Sequence, residues 1–116
     1  MSAGIYDILI EQGATFRMSA TWKDSAGVPV NITGYTARMQ VRRRYNDPTI
    51  LLNFSTTNGA IVLGGGAGTI TITGAATVTD DVTARTGVYD LELVSADGTV
   101  TRLLEGGVTI SPEVTR

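Results

Sequence analysis

The chain predicts an all-β fold, an antiparallel sandwich of about eight strands built as one domain over residues 1–116. Three observations predict it. Apolar residues recur with the two-residue period of a half-buried strand, as where Phe16, Met18, Ala20 and Trp22 oppose Thr15, Arg17, Ser19 and Thr21. Turn signals interrupt the pattern roughly every 8–12 residues, the rhythm of sandwiches and barrels. A chain of 116 residues can bury about 65% of its unfolded surface in a single core.

The elements follow in order. Ile5 to Ile10 is a short apolar run that Gln12-Gly13-Ala14 breaks. Its Ile5, Tyr6, Ile8, Leu9 and Ile10 are apolar on both faces, so a neighbouring subunit is expected to cover the outer one. Thr15 to Lys23 alternates as a strand, Asp24-Ser25-Ala26-Gly27 turns, and Pro29 places the next extended piece at an edge. Tyr35, Ala37, Met39 and Val41 then alternate with Thr36, Arg38, Gln40 and Arg42. The pattern fails at Arg43, where the strand should leave the core. Asn46-Asp47-Pro48 is a turn, Thr49 to Ser55 a strand, and Asn58-Gly59 a tight-turn signal. Ile61-Val62-Leu63 and Thr69 to Thr73 flank a glycine-rich tip, and Gly74 to Arg85 has no two-residue period. Thr79, Asp80 and Asp81 suit the start of a helical turn there. Finally Gly87 to Val94 is a strand, Ala96-Asp97-Gly98-Thr99 turns, Val100 to Glu105 returns, and a third strand around Val108-Thr109-Ile110 ends before Pro112. The expected core is Phe16, Met18, Trp22, Tyr35, Met39, Val41, Ile70, Ile72, Tyr89, Leu91 and Leu93.

Composition narrows the chemistry. The chain has no cysteine and no histidine, so it lacks thiolate ligands, the commonest neutral-pH general base and the commonest metal ligand. Nine basic against eleven acidic residues give a net charge of −2, which argues against a dedicated nucleic-acid binder. No apolar run approaches the roughly 20 residues of a membrane span, and the N-terminus lacks a basic, then apolar, leader pattern. Charged residues make up 17% of the chain, below the average of about 25%, which suits a protein packed against neighbours. The expectation is a non-enzymatic protein with no cofactor, no metal, no nucleic-acid partner and no membrane.

The remaining motifs read as structure. Gly64-Gly65-Gly66-Ala67-Gly68 runs into the strand beginning Thr69-Ile70, not a helix, so it is a hairpin tip and not a phosphate cradle. Asp24 and Asp97 precede Gly27 and Gly98 as turn formers, and adjacent Asp80-Asp81 lacks the alternate spacing of a calcium loop. Arg42-Arg43-Arg44-Tyr45, with Arg38 on the face of Arg42 and Arg44, is the one charge cluster. It reads as a docking patch for an acidic partner or as a solvated strand end that blocks edge pairing. Ile5, Tyr6, Ile8, Arg38, Arg42, Arg44 and Tyr45 are therefore the candidate partner-binding residues. Gly87-Val88-Tyr89-Asp90-Leu91 resembles the tyrosine corner of immunoglobulin-like sandwiches, although Leu91 stands where those domains carry a cysteine and Arg85 where an acid is expected.

Two longer segments carry a family resemblance. Trp22 to Arg42 has a strand, an aspartate-glycine turn, the link Pro29-Val30-Asn31-Ile32-Thr33-Gly34 and a second strand. Gly87 to Leu93, Ala96-Asp97-Gly98, Arg102 to Gly106 and Val108 to Arg116 form the ending. Both resemble small structural proteins of tailed-bacteriophage tails, in particular the N-terminal domain of upper baseplate proteins of lactococcal siphophages and siphophage tail collar proteins. The resemblance implies an immunoglobulin-like sandwich without catalytic residues. It implies a virion component, made in the host cytoplasm, that rings the tail tip or baseplate and anchors fibres or receptor-binding proteins. Its partners would be copies of itself and other tail or baseplate proteins. The upper baseplate proteins carry a long extension that this sequence lacks, which favours a collar or ring component. The alternatives are a capsid decoration protein and a carbohydrate-binding module.

Overall fold

A computed structural model describes residues 3–115 and is an all-β sandwich of two sheets. The N-terminal strand comes in two pieces, β1 (Gly4–Ile5) and β2 (Ile8–Glu11). Then follow β3 (Phe16–Thr21), β4 (Thr36–Arg42), β5 (Leu52–Ser55), β6 (Ile61–Leu63) and β7 (Thr69–Gly74). A single helical turn, α1 (Ala76–Thr79), precedes the long pair β8 (Thr86–Val94) and β9 (Val100–Ser111). The larger sheet runs β1-β9-β8-β4-β5 with β2 also on β9, and the smaller runs β3-β7-β6.

The two-residue period holds where it was clearest. On β4, Ala37, Met39 and Val41 are buried while Thr36 and Arg38 are exposed, and on β8 Tyr89, Leu91 and Leu93 are buried. These join Ile70 and Ile72 of β7, Phe16 of β3 and Phe54 of β5 in one core between the sheets. Phe16 and Phe54 stack with centroids 6.0 Å apart. Met18, Trp22 and Tyr35 do not reach full burial. β3 is an edge strand, and Trp22 lies beyond its end, edge-on to Tyr35 at the rim of the core. Ile8, Ile10, Ile32, Val82 and Ala84 fill the core instead.

Several local expectations change. The last two predicted strands are one, because β9 runs unbroken from Val100 to Ser111. Leu91 pairs with Leu104 but Glu92 with Arg102, so Leu103 is an extra residue in β9, a bulge that shifts the register of the pair by one residue. Asn58-Gly59 turns the chain tightly, but it carries it from β5 in one sheet to β6 in the other. α1 ends at Thr79, with Asp80 as its C-cap, so these residues close a helical turn and do not open it. The Thr79 hydroxyl is fully buried. It lies 2.8 Å from the Ala14 carbonyl and accepts from the Gly13 N–H at 3.1 Å, holding the β2–β3 turn against α1.

The pairing of the N-terminal strand departs most from an antiparallel reading. β1 and β2 run parallel to β9, Gly4 beside Leu104 and Ile8 beside Val108. Between the two pieces, Tyr6 and Asp7 pass Gly106 and Gly107. A Cβ on Gly106 would lie 2.3 Å from the Tyr6 carbonyl oxygen, so only glycine admits the strand there. Asp7 Oδ1 accepts the Gly107 N–H at 2.9 Å, and the Tyr89 hydroxyl donates to the Tyr6 carbonyl. Tyr89 thus bonds back to the backbone as a tyrosine corner would, but its acceptor lies 83 residues away, in the first strand and not a few residues upstream.

Three outcomes test this architecture. Phe54→Ala, which empties the centre of the core, should cost about 3–5 kcal/mol, and Trp22→Ala, at the rim, about half of that, both read by urea unfolding. Gly106→Ala should displace the N-terminal strand, and hydrogen exchange should then show Ile8 and Ile10 amides losing protection while β4 and β8 keep theirs. Burial, with Tyr6 and Asp7 beside it, pushes the Tyr89 phenol up to about 12. The folded chain therefore keeps a proton that the unfolded chain loses near pH 10. The stability linked to it is complete below about pH 10 and is lost as pH rises towards 12. Tyr89→Phe should abolish that alkaline slope and cost about 1 kcal/mol at neutral pH.

Candidate partner interface

The candidate residues fall into two regions that the fold keeps apart. The first is the outer edge of the larger sheet, formed by β1 and β2. Their register with β9 sets the faces. Ile8 and Ile10 oppose Val108 and Ile110 and point into the core, whereas Ile5 and Leu9 oppose Glu105 and Thr109 on the outer face. Ile5 is 83% exposed, and Tyr6 and Leu9 are each 56% exposed. The run is thus one-sided. Ile8 is 7% exposed and belongs to the core, not to a contact surface, and removing residues 1–10 would strip Ile8 and Ile10 from the core along with the edge. Asp7 and Glu11 put charges on this edge, the usual guard against indiscriminate strand pairing.

The second region is the end of β4, where the arginines divide. Arg38 points to the outer face and pairs with Glu92 at 2.8 Å. Arg42 donates to the Asp47 carbonyl at 2.7 Å and to Gln40 Oε1 at 2.9 Å, so its guanidinium holds the β4–β5 loop. Arg43, Arg44 and Tyr45 follow in that loop and are exposed, Tyr45 at 79%. Arg85 joins Arg43 and Arg44 from the segment before β8, the three lining one hollow with Ala84 and Thr86. Sequence reading missed Arg85, and the missing signal was topological. Only the β4–β8 register, which sets Arg42 beside Val88 and so carries residues 43–45 alongside 85–87, reveals that Arg85 shares a hollow with Arg43 and Arg44.

Between these regions the outer face of the larger sheet carries an ion-pair ladder. Asp90 sits between Glu105 on β9 and Gln40 on β4, and Glu92 between Arg102 and Arg38. Arg102 approaches Asp90 at 3.5 Å. Partial burial and then the neighbouring Glu92 raise the Asp90 carboxyl above its ordinary value, with Arg102 opposing. A shallow hollow of ≈ 200 Å³ lies here, lined by Gln40, Arg42, Tyr45, Val88, Tyr89, Asp90 and Glu92. Charge alternates across the Arg102–Glu92–Arg38 row, whereas in the next row Asp90 stands directly beside Glu105 and relies on Arg102 from the neighbouring row. Among the described residues no three His, Cys, Asp or Glu side chains are placed to hold a metal ion. The turn aspartates act locally: Asp24 Oδ1 accepts from Ala26 and Val28 N–H at 2.9 and 3.0 Å, and Asp97 Oδ1 accepts from the Ser95 hydroxyl and the Thr99 N–H.

Compared with known proteins, the chain matches no family model and no curated sequence. The assignment of the site therefore rests on its own geometry.

The ladder makes a titration prediction. Glu92→Gln removes a like charge beside Asp90 and frees Arg38, and both changes favour the ionised carboxylate. Carboxyl-carbon NMR should show the Asp90 midpoint moving down in that variant; an unchanged or higher midpoint would mean that burial alone sets it.

Proposed function

We propose that the protein is a structural component of a bacteriophage virion, an adaptor without catalytic activity at the tail tip, baseplate or collar. Several copies form a ring that anchors fibres or receptor-binding proteins. The observation that carries this reading is where the two family-like segments fall. Trp22 to Arg42 supplies β4, and the segment from Gly87 supplies β8 and β9, three strands that lie side by side in the larger sheet; its last residue, Arg116, is outside the described residues. The strands of the two segments thus lie together in the larger sheet, while Trp22 to Gly34 runs past the end of the smaller one, where the Trp22 N–H donates to the Gly68 carbonyl at 2.9 Å. An immunoglobulin-like arrangement is part of the same reading.

The surface supports assembly. A ring closes by head-to-tail contacts between two different patches. The apolar outer edge at Ile5, Tyr6 and Leu9 and the basic end at Arg44 and Tyr45 are two such patches on separate parts of the sheet. Each contact should bury more than about 1,000 Å² if it holds a particle together.

Mass spectrometry of heads and tails separated from virions made by the encoding host tests the assignment. The protein should appear with the tails in several copies. Its presence in heads alone would favour capsid decoration, and its absence from particles would overturn a virion role. A paired Ile5→Ser and Leu9→Ser variant leaves Ile8 and Ile10 in the core, so it should fold normally and yet fail to incorporate. Normal incorporation would remove the N-terminal edge from the interface.

A further inference from the structure

We propose that the hollow formed by Arg43, Arg44 and Arg85 binds a carboxylate-rich segment of a partner protein. The hollow measures ≈ 240 Å³, and Ala84 and Thr86 complete its lining. Its three guanidiniums come from two stretches of chain that meet only in the folded state. Their relative position is fixed by backbone contacts. Arg42 is in register with Val88, the Ile110 N–H donates to the Arg85 carbonyl at 2.8 Å, and a Cβ on Gly87 would lie 2.6 Å from the Arg42 carbonyl oxygen.

The charge balance here differs from that of the rest of the molecule. Arg38 and Arg102 have carboxylate partners at 2.8 and 3.5 Å, and Arg42 is occupied by a carbonyl and an amide. Arg43, Arg44 and Arg85 have no carboxylate within 4.0 Å among the described residues. Three like charges converging on one hollow repel one another, and an incoming carboxylate relieves that repulsion with paired N–H···O bonds. Tyr45, next in the chain, turns to the other hollow on the sheet face with Arg42 and Asp90, which leaves the three arginines to line this one with Ala84 and Thr86.

A protein segment fits better than nucleic acid. The hollow has room for one or two carboxylates. Three arginines at one end of a chain of net charge −2 do not form the extended basic track that a phosphate backbone needs for tight binding. A short acidic segment needs only the local field of the three guanidiniums.

The probe is a fluorescein-labelled decapeptide of alternating glutamate and glycine, followed by fluorescence anisotropy at low ionic strength. It should bind the intact protein and be released by added salt. An Arg44→Gln, Arg85→Gln double variant should bind at least about tenfold more weakly, since two charge-assisted bonding groups are lost. An Arg38→Gln, Arg102→Gln double variant removes the same charge from the sheet face and should bind like the parent. All four side chains are exposed, and circular dichroism should show both variants folded. Absence of binding to the parent, or an equal loss in the two double variants, would overturn the assignment. Tighter binding of an oligothymidylate with the same dependence on Arg44 and Arg85 would overturn it in favour of nucleic acid. Peptide binding is read without any particle, so its failure leaves the virion reading intact, and the reverse holds too.

Discussion

The fold depends on the passage of the first strand across the last at Gly106 and Gly107. β9 is the hub of the larger sheet, pairing with β8 on one side and with both N-terminal pieces on the other. The N-terminal strand reaches it only because Gly106 leaves space for the Tyr6 carbonyl, whereas a Cβ on Gly107 would meet Asp7 at ordinary contact distance. Two hydrogen bonds then fix that space, one from the Gly107 N–H to Asp7 and one from the Tyr89 hydroxyl to the Tyr6 carbonyl. Tyr89 is buried in the core and belongs to β8, so this bond ties three strands together. Ile8 and Ile10 enter the core only after that passage. Side-chain bonding at the far end repeats the device with Gln12. Its amide donates to the Val82 carbonyl at 2.9 Å and accepts from the Glu113 N–H at 3.0 Å, joining the first strand, the α1 loop and the C-terminal tail.

What could be read from sequence followed from which forces are local. Alternation at Ala37, Met39 and Val41 and at Tyr89, Leu91 and Leu93 is a local record of burial, and it located β4 and β8 and their inward faces correctly. Turn chemistry is local too, and Asp24, Asp97 and Gly59 turn the chain where they stand. Partnership is not local. Nothing in the spacing of Ile5 to Ile10 reveals that the strand runs parallel to β9, or that Ile8 faces inward while Ile5 and Leu9 face out. A run apolar at nearly every position has no period to read. Trp22 and Tyr35 misled for a related reason: size and hydrophobicity suggest a core, but Trp22 stands just past the end of β3 and Tyr35 just before β4, where only a rim is offered. The arginine run shows the same limit at a site. Its residues were visible, but the partners that occupy Arg38 and Arg42, and the distant Arg85 that joins Arg43 and Arg44, depend on tertiary register.

Charge on this small domain is organised by face. The outer face of the larger sheet sets Arg38 against Glu92 and Arg102 against Asp90, with Glu105 opposite Asp90 across the strands. The N-terminal edge exposes Ile5, Tyr6 and Leu9 among Asp7 and Glu11, and the β4–β8 end exposes guanidiniums with no carboxylate partner among the described residues. A molecule that spent its charges evenly would present no direction to a neighbour. This one has an apolar edge, a face of mixed charge and a basic end, which gives an encounter complex an orientation before close contact.

The parallel pairing of the first and last strands also has a mechanical side. Gly4 lies beside Leu104 and Glu11 beside Ser111, so the chain enters and leaves the sheet at opposite ends of the same ladder. Tension applied through the two termini would slide β1 and β2 along β9, loading the hydrogen bonds of the ladder together and at right angles to their axes. A hairpin pulled from one end would open its bonds singly. In this molecule the Tyr6–Gly106 crossing sits in the middle of the loaded ladder, where the Asp7 and Tyr89 bonds act as a cleat against sliding.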